Sequence, residues 1–173
     1  MAQQLGLPVS HFIASTNANK VVPNFMEKGE YQPLPSVATI SNAMDVGDPS
    51  NFIRIREIYG DDFDLIKKNL SSFSFSDERT KAAMEKVYQD SGYVMDPHGA
   101  VGYLGLKQYM NNHQDIQGIF LETAHPVKFL EVVEPVIGQR IEFPEQIKNI
   151  MDRTKEASFI SNYEQLKDYL LMG

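Results

Sequence analysis

Cysteine is absent from this 173-residue chain. That excludes structural disulfides, thiolate metal sites and thiol nucleophiles, and it fits a cytoplasmic location. Basic residues are scarce as well. Sixteen Lys and Arg against 23 Asp and Glu leave a net charge of −7, and the densest basic stretch is the pair Lys67-Lys68. A nucleic-acid groove or an anionic membrane surface needs a positive face, so neither partner is expected. No apolar run approaches the ~18 residues that span a bilayer. No charged-then-apolar leader opens the chain. Glycine-rich phosphate loops, a Gly-x-Ser-x-Gly elbow and a Ser-x-x-Lys motif are all missing. The four histidines, His11, His98, His113 and His125, never fall at the spacing of a local zinc site, so no metal is expected.

What is present describes a globular protein. Hydrophobic residues are 42% and charged residues 23%, enough for one domain with a sizeable core. Met1 to Gly6 reads as the last turn of a helix, and Val9 to Ser15 as a strand. Asn17 or Asn19 is expected to cap a helix over Lys20 to Lys28, stopped at Gly29. Residues 31–50, rich in Pro, Ser and Asn, form a long connection that is either functional or extended against a sheet. Helices are expected from Asp48 to about Tyr59 and from Asp61 to Asn69. The alternation of Ser71 to Ser76 predicts a half-buried strand. Further helices are expected after Ser76 to Ser91, from Asp96 to about Met110, and from Pro126 to Ile137. Two more follow, from Phe143-Pro144 to about Arg153 and from Tyr163 to Leu171. The class is α/β, with few parallel strands among many helices, and the missing strands are expected from another segment of the same protein.

Chemistry-bearing residues gather after the apolar runs. Gly118-Ile-Phe-Leu121 reads as a buried strand. Thr123 and His125 would then stand at its carboxyl end, where open α/β sheets meet their ligands. The plainer alternative is a strand-to-helix turn with Thr as cap and Pro126 at the first helical position. Ser15-Thr-Asn-Ala-Asn19 follows the first strand and can hold a polar ligand or cap a helix. Asn42 and Asp45 sit in the long loop. Gly99, Gly102 and Gly105 make a small-residue stripe suited to close packing within one helix. Asp96-Pro-His98 reads as the start of that helix.

Taken in order, five motifs resemble one family. Phe12-Ile-Ala-Ser-Thr-Asn-Ala-Asn19, Val22-Pro-Asn-Phe25, Ser41-Asn-Ala-Met-Asp-Val46, Asp96-Pro-His98 with Ala100-Val101, and Thr123-Ala-His-Pro-Val-Lys-Phe129 are similar to the C-terminal part of threonine synthase. The likeness spans about residues 1–138. It implies a fold-type II pyridoxal phosphate enzyme that converts O-phospho-L-homoserine and water to L-threonine and phosphate. In that family the cofactor lysine and a Ser-Gly-Asn-Phe-Gly phosphate loop belong to the N-terminal part, and no lysine here stands in the matching context. The resemblance therefore implies a C-terminal fragment, inactive alone, whose partner is the missing N-terminal part of the same protein.

Residue by residue, the likeness assigns Thr123 to the pyridine nitrogen of the cofactor. It places Ser15, Thr16, Asn17, Asn19, Asn42, Asp45 and His125 along the active-site side, with no catalytic residue in this chain. Two positions depart from the family. Lys20 stands where many relatives carry an acidic residue. Glu122 stands where relatives often have glycine, and it is expected to point to solvent. The implied organisation is a cofactor-binding α/β part over residues 1–138 and a helical extension over 139–173. The rival readings are another fold-type II lyase or dehydratase, and a non-catalytic α/β interaction domain.

Overall fold

The computed structural model describes residues 3–148, 150 and 153–172. The chain divides into two units, Met1–Ile141 and Glu142–Gly173. In the first, Phe12–Thr16 forms strand β1 and Leu70–Ser74 forms strand β2, paired in parallel with Phe12 opposite Leu70 and Thr16 opposite Ser74. A parallel pair requires a long crossover. Helices α1 (Val21–Lys28), α2 (Phe52–Tyr59) and α3 (Phe63–Asn69) supply it. Next come α4 (Asp77–Ser91), α5 (Pro97–Met110) and α6 (Leu130–Ile137). The α/β class expected from sequence holds.

Alternation along β1 sends its side chains to two different cores. Phe12 and Ala14 join Phe25, Phe52, Ile66 and Leu70 on the side of the crossover helices. Ile13 and Ser15 face α5 at Gly105. A β-carbon at Gly105 would overlap Ser15 Oγ, so the glycine lets α5 come down onto the strand. The stripe read from sequence is therefore a packing face, with Gly102 beside Phe120 and Gly99 beside Glu122. The second core joins Met84 of α4, Met95, Ala100 of α5 and Val133 of α6, with Tyr103, Phe120 and Phe129 around them.

Local signals set most element ends. Ser76 caps α4 by accepting from Arg79 N, and Asp96 caps α5 by accepting from His98 N. Gly29 and Gly92 end α1 and α4 in the left-handed conformation that favours glycine. The opening turn is a single 3-10 turn, Gln3–Leu5, closed by Gly6.

Two expectations for this unit's elements fail. The segment from Gly118 to Leu121 has no regular secondary structure and is not a strand: among the described residues the sheet has only β1 and β2. Ile119 and Leu121 are 86% and 75% exposed, and only Phe120 turns inward, edge-on to Tyr103. A buried parallel strand needs neighbours on both sides, and these residues have none. Asn17 and Asn19 do not cap α1, whose N-cap position is Lys20 without a side-chain bond. The helix expected from Pro126 to Ile137 is present, its first turn being 3-10 (Pro126–Phe129) before α6 and its end at Gly138.

In the second unit α7 (Glu145–Lys148) is shorter than the helix expected to reach Arg153; residues 149, 151 and 152 lie outside the described set. Helix α8 (Tyr163–Met172) follows, with Asn162 Oδ1 accepting from Gln165 N at its start. No helix among the described residues is long and apolar enough to cross a membrane.

Candidate functional site

The carboxyl end of β1 runs into Asn17 and Asn19, both buried. Their amides form a network with the loop of residues 31–50. Asn17 Nδ2 donates to Thr39 Oγ1 at 2.7 Å, Asp45 Oδ1 at 2.8 Å and Ser41 Oγ at 3.1 Å. Asn17 Oδ1 accepts from Asn19 N and Asn19 Nδ2, each at 2.9 Å. Asn19 also brackets Val37, donating to its carbonyl at 2.9 Å and accepting from its N–H at 2.8 Å. Asp45 accepts from Thr39 N and Thr39 Oγ1. A loop this long would leave many backbone groups unpaired, and the two asparagines satisfy three of them, the N–H and carbonyl of Val37 and the carbonyl of Ser41. Their amides are thus engaged within the protein.

Beside this network lies a cleft of about 400 Å3, lined by Ser15, Thr16, Asn19, Val22, Met44 and Val46 among others. Ser15 and Thr16 are half-buried there, and Asn42 is exposed on the adjoining 3-10 turn, Asn42–Met44. A polar ligand entering the cleft would meet hydroxyls more readily than the committed amides.

A second group of residues surrounds the start of α5. His98 Nε2 accepts from Ala43 N at 3.1 Å, and Nδ1 lies 2.7 Å from Asp96 Oδ1. Accepting at Nε2 leaves the ring proton on Nδ1, directed at Asp96. His98 thereby ties the 41–45 turn to α5. On the other side of Asp96 stands Glu122. It does not point to solvent as the sequence suggested: its carboxyl packs against Gly99, where a β-carbon would overlap it. Burial, then the hydrogen bond and charge of Asp96, push the Glu122 carboxyl up to about 8. The Tyr93 phenol is raised by burial and by the same two carboxylates.

Thr123 follows directly and is exposed, and its hydroxyl makes no hydrogen bond among the described residues. His125 is exposed and its Nδ1 accepts from Val127 N at 3.2 Å, so the histidine, not Thr123, caps the turn that opens at Pro126. The expected residues thus fall into two groups. Ser15, Thr16, Asn17, Asn19 and Asp45 gather at the end of β1, and Thr123 and His125 stand on the segment after α5. His98, Asp96 and Glu122 connect the groups. Sequence reading gave His98 no part in a site and placed Glu122 in solvent. Gly99, a glycine in the first turn of α5, leaves the space, but nothing in the sequence says that Glu122 fills it.

Comparison with known proteins agrees in sequence and in fold. The family model "Threonine synthase, C-terminal" matches residues 99–170. The threonine synthase of Haemophilus influenzae is 40% identical over 177 residues, covering 99% of this chain and 40% of that protein. That of Serratia marcescens is 40% identical over 164 residues, covering 92% of this chain and 37% of the relative. Among solved structures, threonine synthase from Escherichia coli superposes with a TM-score of 0.83 at 34% identity, over 99% of this chain and 39% of that one. The pyridoxal-phosphate-bound threonine synthase from Brucella melitensis gives 0.80 at 25% identity, over 98% and 41%. The chain spans about two fifths of the length of the curated relatives it matches.

Proposed function

We propose that this chain, which matches the C-terminal part of threonine synthase in sequence and in fold, supplies one wall of a pyridoxal phosphate site in an enzyme of that activity. The enzyme would convert O-phospho-L-homoserine and water to L-threonine and phosphate. Residues 1–138 would carry the cofactor wall and residues 139–173 a helical extension. The lysine that anchors the cofactor would come from the N-terminal part, to which the remaining length of the relatives corresponds. The 173-residue chain alone would then be inactive.

Thr123 carries the reading. Its hydroxyl is exposed and unengaged among the described residues, on the segment that follows the apolar run Gly118 to Leu121. That is the state required of a group that must meet a ligand from outside the chain. The donor set fits the cofactor at Thr123, and at Ser15 and Thr16 in the cleft. It does not fit at Asn17 or Asn19, whose amides hold the loop. We assign those two, with Asp45, to shaping the cleft.

When bound, pyridoxal phosphate supplies an electron sink for carbanion chemistry on an amino acid. Against its ring nitrogen, Thr123 would offer a neutral hydroxyl, which unlike a carboxylate does not enforce a protonated ring. His125 would keep Thr123 in place by capping the turn after it. A cytoplasmic location accords with the cysteine-free sequence.

The test is product analysis with the protein that contains both this chain and the N-terminal part. O-phospho-L-homoserine should yield L-threonine and phosphate in equal amounts. A 2-oxo acid and ammonia from a hydroxy amino acid would support the dehydratase reading instead. No turnover and no cofactor binding would support an interaction domain.

A further inference from the structure

Three buried oxygens at the start of α5 have no hydrogen-bond donor among the described residues: Asp96 Oδ2, Glu122 Oε1 and Glu122 Oε2. Asp96 is fully buried, and its other oxygen, Oδ1, accepts from both His98 N and His98 Nδ1. The His98 proton is therefore already placed and cannot serve Glu122. Two carboxylates that face each other out of water repel, and neither finds a donor, unless a proton lies between them. The helix N-terminus favours one negative charge; Asp96, as the cap, supplies it.

The surroundings offer no other counter-charge. From α5 the facing titratable groups are Asp96 and His98, and from the turn before it Tyr93. No charged group of α4 or α6 is among those acting on Glu122. Among the described residues, no lysine or arginine pairs with Glu122 or Asp96. Gly99 leaves the space in which the Glu122 carboxyl sits.

We propose that Glu122 and Asp96 share one proton, and that this carboxyl pair fastens the segment carrying Thr123 to the start of α5. Glu122 is then a positioning residue for Thr123. The shared proton rests on the three donorless buried oxygens and on the seating of the Glu122 carboxyl over Gly99, in the first turn that Asp96 caps, and the positioning role rests on the proposed function of Thr123. When the proton leaves, two negative charges face each other and the segment loosens.

The test is infrared spectroscopy of the protein across pH, with hydrogen exchange of residues 118–125. The wild-type protein should show a protonated-carboxyl band at about pH 6 that disappears as the pH rises through about 8. The band should be missing in Glu122→Gln, whose amide donates to Asp96 without titrating. Protection of the segment should fall about tenfold above the transition in wild type and stay level in Glu122→Gln. No wild-type band at about pH 6, a band unchanged in the variant, or identical pH profiles of protection would each overturn the proposal. The wild-type titration stands even if the variant fails to fold. If the band and the exchange behave as expected but Thr123→Val leaves threonine formation intact, the positioning role falls and the shared proton remains.

Discussion

Asn17 Nδ2 donates to Asp45 Oδ1 across 2.8 Å, fixing the end of β1 to a loop 28 residues further along the chain. The same amide serves Thr39 and Ser41. Removing the side chain takes the amide donor from the Ser41 carbonyl and the Oδ1 acceptor from Asn19 N, while Asp45 Oδ1 keeps its bonds from Thr39 and Asn19. Asn17→Ala should therefore destabilise the fold by about 2–3 kcal/mol, read from the urea midpoint. A loss within measurement error would mean the network is not what holds the loop.

Gly105→Ala tests the contact between α5 and β1. The added methyl would overlap Ser15 Oγ and crowd Ile13. Overpacking of this kind costs about 1–3 kcal/mol, more than the helix propensity gained by replacing glycine. Thermal unfolding should show a net loss of stability, whereas a gain would mean that helix and strand are further apart than described.

His11 gives a pH dependence of definite sign. It stacks on Tyr109, which stacks in turn on His113, and its Nε2 lies 2.9 Å from Ser71 Oγ. Burial, with a smaller push from His113, holds the His11 ring below its usual 6.5. The unfolded chain thus takes up a proton there at a higher pH than the folded one. The stability tied to His11 is present above the ordinary histidine range and declines as the pH falls below it. His11→Phe should flatten that decline in thermal melts taken across the range. An unchanged slope would place the titration elsewhere.

Thr123→Val should separate function from stability. The side chain is exposed and without a partner, so the melting curve should stay within about 0.5 kcal/mol of wild type. Threonine formation by the protein that includes the N-terminal part should drop at least about tenfold, the factor for one neutral hydrogen bond. Equal activity would remove Thr123 from the site.

Much of the fold was legible because its signals are local. Gly29 and Gly92 ended helices where the sequence put them, and Ser76 and Asp96 began them. The stripe Gly99, Gly102, Gly105 announced close packing, and the contacts to Glu122, Phe120 and Ser15 bear it out. What the sequence hid depends on distant partners. Asn17 looked like a cap because its true partners, Thr39, Ser41 and Asp45, lie more than 20 residues away. The run from Gly118 to Leu121 has the composition of a strand, but pairing belongs to neighbours and not to composition. Glu122 read as solvent-directed because nothing in a single sequence links it to the space above Gly99.

The proposed function makes this chain one wall of the site in an enzyme that removes phosphate from O-phospho-L-homoserine and adds water. The most direct measurement runs that reaction in heavy-oxygen water with the protein containing this chain and the N-terminal part. Elimination breaks a carbon–oxygen bond and hydration forms a new one. The threonine hydroxyl should therefore carry the solvent label, and the released phosphate should not. Labelled phosphate, or phosphate without threonine, would contradict the account.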